Sequence, residues 1–196
     1  KYRGPSPVQT AMLNGDAETG VTIMKLDKEM DHGDIIANAN YKLSPIASYE
    51  ETHLALFKLG ADLLIKILPN YLANKIKPQP QDHSTATYTH KFKTEDGEIK
   101  PDDTVKTAYN KIRALNPEPG TYFWINQNGK KLRFKILKAR LFDTQEAKLS
   151  KKGLFIKNGG LVLSLTKGAL MLQDVQPEGK KSMSGESFAR GYFTDD

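Results

Sequence analysis

The 196-residue chain contains no cysteine and a single tryptophan. With no thiol, a disulfide scaffold and cysteine-ligated zinc are excluded. Mean hydropathy is −0.54, and no stretch approaches the roughly 18 apolar residues of a bilayer span, so no membrane segment is expected. His32, His53, His83 and His90 lack the spacing of a zinc-binding pair, and no metal site is expected. Nucleophile elbow, Walker loop and G-x-G-x-x-G are all missing. Residue 1 is Lys, and Lys1-Tyr2-Arg3-Gly4-Pro5-Ser6-Pro7 lacks the apolar core of a signal peptide. The expectation is a monomeric, cytoplasmic fragment that begins inside a longer protein.

The composition that remains, 38% hydrophobic and 27% charged, suits one large globular domain or two of about 100 residues. Charge is uneven along the chain. Up to Thr89 there are 9 Lys and Arg against 10 Asp and Glu; beyond it, 20 against 13. A basic second half fits a polyanion, because each neutralised phosphate releases counterions. It equally fits a lysine-rich solvated surface.

Pro7 and the Asn14-Gly15 pair bracket a short helix. Val21 to Leu26 and Asp34 to Leu43 are strand candidates, joined by a polar Asp- and Gly-containing turn, hence a hairpin. From Tyr49 to Leu68, the residues Leu54, Phe57, Ala61, Leu64 and Leu68 recur at helical spacing and are expected to face the core. Ser48 and Glu51 form a capping-box pattern. Pro69 is expected to end this helix and leave Asn70 to Asn74 as a turn. Residues 77 to 89, proline-rich and without apolar period, read as an extended linker.

Three segments follow: 1–76, the linker 77–89, and 90–196. The last opens with a helix whose Val105, Ala108, Tyr109, Ile112 and Leu115 share a face. Five short strands then run over 121–126, 130–139, 153–157, 161–166 and 170–175. Their turns carry Asn128-Gly129, Asn158-Gly159-Gly160 and Lys167-Gly168. This content suits a small OB-like β-barrel. In Lys130 to Ile136 the residues Leu132, Phe134 and Ile136 alternate with Lys131, Arg133 and Lys135, and the pattern slips at Leu137, which predicts a bulge. The cation row could track a nucleic-acid backbone or could discourage edge pairing. Met30-Asp31-His32-Gly33-Asp34 reads from composition as a plain turn.

Longer motifs add a resemblance. Lys1-Tyr2-Arg3-Gly4-Pro5, Asn14-Gly15-Asp16 and Met30-Asp31-His32-Gly33-Asp34-Ile35-Ile36 resemble the methionyl-tRNA formyltransferase family. So do Leu115-Asn116-Pro117-Glu118-Pro119-Gly120, Gln176-Pro177-Glu178-Gly179-Lys180-Lys181-Ser182-Met183 and Phe188-Ala189-Arg190-Gly191. The resemblance implies part of an α/β formyltransferase domain with a parallel sheet, followed by an OB-like barrel that helps hold tRNA. It implies transfer of a formyl group from 10-formyltetrahydrofolate to the methionyl amino group of initiator tRNA. The family's catalytic Asn, His and Asp have one counterpart here, Asp31; the N-x-H segment that supplies the other two is not in these 196 residues.

Such groups suit the chemistry. An Asn donor and a protonated His stabilise the oxyanion formed when an amine attacks a formyl carbon, a contribution of about 3 to 4 kcal/mol per donor. A carboxylate favours the charged His and can position a proton-shuttling water. The resemblance also places Lys28, Glu29, Met30 and Asp31 beside folate, and makes His32 a surface substitution. Lys131, Arg133, Lys135, Lys180 and Lys181 are the candidate nucleic-acid contacts. With one catalytic residue of three, the isolated chain is expected to be inactive. The alternatives are a folate-dependent formyltransferase for a nucleotide-linked amino sugar, and a non-catalytic tRNA-binding module.

Overall fold

The computed structural model describes residues 1–127, 129–142 and 153–192, and the chain divides into two units, Lys1–Phe92 and Lys93–Asp196. In the first, helix α1 (Pro7–Asn14) starts on a proline and closes on Gly15 in the left-handed region, φ 68°. Strands β1 (Glu18–Met24) and β2 (Ile35–Lys42) then form the expected hairpin, with Val21 opposite Ala39 and Glu18 opposite Lys42. The pairing is antiparallel. Parallel neighbours need a crossover of a dozen or more residues, which the connection 25–34 does not provide. Every strand ladder among the described residues is antiparallel, and the expected parallel sheet does not occur among them.

Helix α2 (Tyr49–Leu72) departs from its reading twice. Ser48 and Glu51 form the capping box as expected, but the helix runs through Pro69 to Leu72. Proline within the last turn forfeits one backbone hydrogen bond and does not break the turns before it. Ala73 N still donates to Pro69 O at 3.1 Å. The second departure concerns the apolar stripe. Leu54 and Phe57 are 69% and 72% exposed, and Ala61, Leu64 and Leu68 are exposed too. The buried residues of α2 are Thr52, Leu56 and Ile67. This helix is apolar on more than one face, so periodicity alone did not select the face that packs.

The second unit begins with helix α3 (Val105–Leu115), capped by Thr104, whose hydroxyl accepts from Thr107 N. Its expected face is buried at Ala108, Tyr109, Ile112 and Leu115. Strands β3 (Thr121–Gln127), β4 (Lys130–Phe142), β5 (Gly153–Lys157), β6 (Gly160–Leu165) and β7 (Gly168–Pro177) pair in the order β3-β4-β7-β6-β5. A two-residue β8 (Met183–Ser184) joins β7, and helix α4 (Gly185–Tyr192) follows. Asn128 of the Asn128-Gly129 turn lies outside the described residues. The register of β4 against β7 shifts on both sides of Lys138, where the slip in alternation predicted a bulge. Phe134 and Ile136 are completely buried and pack with Phe123, Leu161, Leu170, Val175 and Phe188 in one core. Asn116, from the Leu-Asn-Pro motif, joins α3 to this sheet: its Nδ2 lies 2.9 Å from Ile112 O and 3.0 Å from Ile136 O.

Residues 77–89 were expected to run as an extended linker, but a 3-10 turn at His83–Thr85, capped by Asp82, interrupts the extended path, and the segment is fastened to the first unit. Ile35 and Gln79 exchange two backbone hydrogen bonds of 2.8 Å, and Arg3 N donates to Thr87 O at 2.8 Å. These bonds place the segment beside the loop that carries Asp31.

Candidate functional site

The loop between β1 and β2 is closed at its base by Lys25 N donating to Asp34 O at 2.9 Å. Gly33 is buried there. A Cβ on it would lie 2.0 Å from Lys25 O, so the close strand approach requires glycine. Asp31 sits at φ 51°, in the left-handed region that aspartate tolerates better than most residues. Its Oδ2 accepts a 2.6 Å hydrogen bond from Gly4 N. No ion pair to Asp31 occurs among the described residues, and the side chain is half-buried. The carboxylate is therefore oriented by a neutral donor and keeps its charge available to another group.

Lys28, Glu29 and Met30 are exposed on the same loop. Glu29 N donates to Asp27 Oδ1 at 2.9 Å, which shapes the turn that the family resemblance would set beside folate. His32 is not a bare surface residue. Its Nδ1 is 2.6 Å from Asp27 Oδ2, and its ring stacks on His83 at 3.8 Å between centroids. His32 stays partly exposed, and the stacking follows from the 77–89 segment, which brings His83 against the loop. The hydrogen bond from His32, followed by that from Glu29 N, holds the Asp27 carboxyl below its ordinary value.

Two residues not expected at the site, Arg3 and Gln81, complete this environment. Arg3 is 5% exposed, and its Nη2 donates to Gln81 Oε1 at 2.7 Å and to His83 Nδ1 at 2.9 Å. Gln81 Nε2 in turn donates to Asp31 O at 3.0 Å and Gly33 O at 2.7 Å. Neither contact has a local sequence signal, since the partners are 48 to 80 positions apart.

In the second unit, Lys131, Arg133 and Lys135 share one face of β4. Antiparallel register sets Asn126 opposite Lys131, Trp124 opposite Arg133 and Tyr122 opposite Lys135. Aromatics thus interleave with the cations, which the sequence reading had not paired. Lys131 Nζ lies 4.7 Å from the Trp124 ring centroid, and the Arg133 guanidinium 5.1 Å from that of Tyr122. Trp124 is 38% exposed, whereas Tyr122 is buried. Burial first, and then the charge of Glu98, raises the Tyr122 phenol above its ordinary value. Lys180 and Lys181 are exposed in the turn after β7. That turn is tied to β4 by Arg133 N donating to Glu178 Oε2 at 2.7 Å.

A hairpin whose loop orients one carboxylate, followed by an antiparallel sheet with a basic aromatic face, defines a two-part architecture that known proteins share. The chain belongs to the formyl transferase family: residues 1–68 match its formyl transferase domain and residues 91–192 its C-terminal domain. Relatives named methionyl-tRNA formyltransferase include that of Chloroflexus aurantiacus, 38% identical over 195 residues, which are 99% of this chain and 62% of the relative. The protein of that name from Lactobacillus delbrueckii subsp. bulgaricus is 40% identical over 97% of this chain and 59% of its own. The chain therefore spans about three fifths of the length of these relatives.

Two solved structures share the fold at lower identity. HypX from Aquifex aeolicus, in complex with tetrahydrofolic acid, superposes with a TM-score of 0.71 at 19% identity, over 98% of this chain and 34% of that one. Methionyl-tRNA formyltransferase from Clostridium thermocellum gives 0.55 at 23% identity, over 89% and 63%. Among the described residues no helix is long and apolar enough to cross a membrane, and no cluster of potential metal ligands occurs.

Proposed function

We propose that the protein acts as a methionyl-tRNA formyltransferase, moving a formyl group from 10-formyltetrahydrofolate to the methionyl amino group of initiator tRNA. The carrying observation is the Asp31 loop. A carboxylate matching the family's motif is oriented by Gly4 N and held outside any ion pair among the described residues. In the reaction a bond forms between the methionyl nitrogen and the formyl carbon, and the bond from that carbon to folate N10 breaks. The amine loses one proton and N10 gains one. Asp31 holds the charge that steers this transfer, either to a water or to a histidine supplied by the rest of the family-length domain. Lys28, Glu29 and Met30 line the folate side of the loop.

Residues 1–76 belong to the formyltransferase domain in this reading, 77–89 join it to the rest, and 90–196 form an OB-like tRNA-binding domain. Lys131, Arg133, Lys135, Lys180 and Lys181 meet tRNA phosphates, and Trp124 offers a ring for an unstacked base. The protein works as a cytoplasmic monomer, and the 196-residue chain alone turns over no substrate.

The deciding experiment completes the chain to the length of its relatives and supplies 10-formyltetrahydrofolate with either methionyl initiator tRNA or a nucleotide-linked amino sugar. Formyl-methionyl-tRNA as the product is the expected result. Formylation of the sugar alone overturns the assignment.

A further inference from the structure

We propose that Gln81 is a positioning residue for Asp31: its amide clamps the backbone on both sides of His32 and so presents the carboxylate in one orientation. This rests on the reading of Asp31 as catalytic. The contacts fix the amide without ambiguity. Only Oε1 can accept from the Arg3 guanidinium at 2.7 Å, which leaves Nε2 to donate to Gly33 O at 2.7 Å and Asp31 O at 3.0 Å.

Three further features give the clamp its purpose. Asp31 adopts φ 51°, so its loop departs from the extended path of β1 and β2 and needs external restraint. Arg3 is buried with no ion pair among the described residues. Its charge is delivered to the Gln81 carbonyl and polarises the amide, strengthening the two N–H donations at the other end. Finally, Arg3 directly precedes Gly4, whose N–H holds Asp31 Oδ2 at 2.6 Å. One short stretch therefore fixes the carboxylate directly through Gly4 and its backbone indirectly through Gln81. Residues 78–83, connecting chain to a sequence reader, are on this account part of the catalytic scaffold.

The test compares Gln81→Met, Gln81→Glu and Asp31→Asn in the protein completed to family length, with amide hydrogen exchange on the 196-residue chain. Glutamate keeps the acceptor for Arg3 and sets an oxygen against the two carbonyls; methionine removes both functions at similar length. Misplacing a catalytic group by about 1 Å can cost about a hundredfold. Both Gln81 variants should lower kcat about 10- to 100-fold, with KM for donor and acceptor within about threefold of wild type. Exchange should accelerate at Gly4, Lys25 and Ile35, whose N–H groups are bonded to Asp31 Oδ2, Asp34 O and Gln79 O, and stay unchanged in α2, which shows that the fold persists. A Gln81→Glu enzyme with wild-type kcat beside an inactive Asp31→Asn overturns the clamp alone, as does a raised KM with kcat intact. An active Asp31→Asn enzyme overturns the reading of Asp31 itself.

Discussion

Neutralising Lys131, Arg133 and Lys135 together as glutamines tests whether the β4 face meets RNA. All three lie on one side of the strand, opposite Asn126, Trp124 and Tyr122. If each meets one phosphate, each adds about 0.7 to 0.9 to the slope of log affinity against log salt, so the triple variant loses roughly 2 to 3 in slope. Between about 50 and about 200 mM salt, wild-type affinity should then fall roughly 20- to 40-fold more than that of the variant. Binding of initiator tRNA to the 196-residue chain is followed by its single tryptophan, Trp124, which sits on this face and reports local contact. A control carrying glutamine at the exposed Lys58, Lys66 and Lys75 of the first unit matches the change in net charge and leaves β4 unaltered. Equal slopes for wild type and the β4 variant, or an equal loss in the control, refute the reasoning.

Other consequences are local. Gly33→Ala places a Cβ 2.0 Å from Lys25 O, and denaturant unfolding of the first unit should show a loss of about 1 to 3 kcal/mol; an unchanged midpoint contradicts the close approach. Phe57→Gln with Ile65→Gln, at positions 72% and 73% exposed, should change stability by no more than about 0.5 kcal/mol each and reduce binding of an apolar dye, whereas a large loss shows that this face is packed. The lowered Asp27 carboxyl makes its bond to His32 a source of stability above the ordinary value of 3.8, lost as pH falls through the lower folded value. The difference in thermal midpoint between wild type and Asp27→Asn should therefore shrink below about pH 4, and a constant difference through that range contradicts the link.

Local pattern made much of the fold legible. Alternation in β1, β2 and β4, the spacing of Ala108, Tyr109, Ile112 and Leu115, and even the bulge near Leu137 follow from side-chain periodicity. Helix α4 was missed although Ser184 caps it by accepting from Ser187 N at 3.1 Å, a signal present in the sequence. The packed side of α2 was not legible, because Leu54 and Phe57 on one face are as apolar as Leu56 and Ile67 on the other. The candidate site was visible only through motif resemblance, which pointed to Asp31. Its supports depend on register and long-range contact: Gln81 reaches back 50 residues to Asp31 O, and Trp124 meets Lys131 only once β3 and β4 are paired.

Formyl transfer by the Asp31→Asn variant of the family-length protein bears on the whole account most directly. A loss of about 100- to 10,000-fold in kcat, with tRNA affinity and fold retained, is the predicted result. Turnover within a few-fold of wild type contradicts it, because the loop, its glycine and its clamp would then be holding a carboxylate that the reaction does not use.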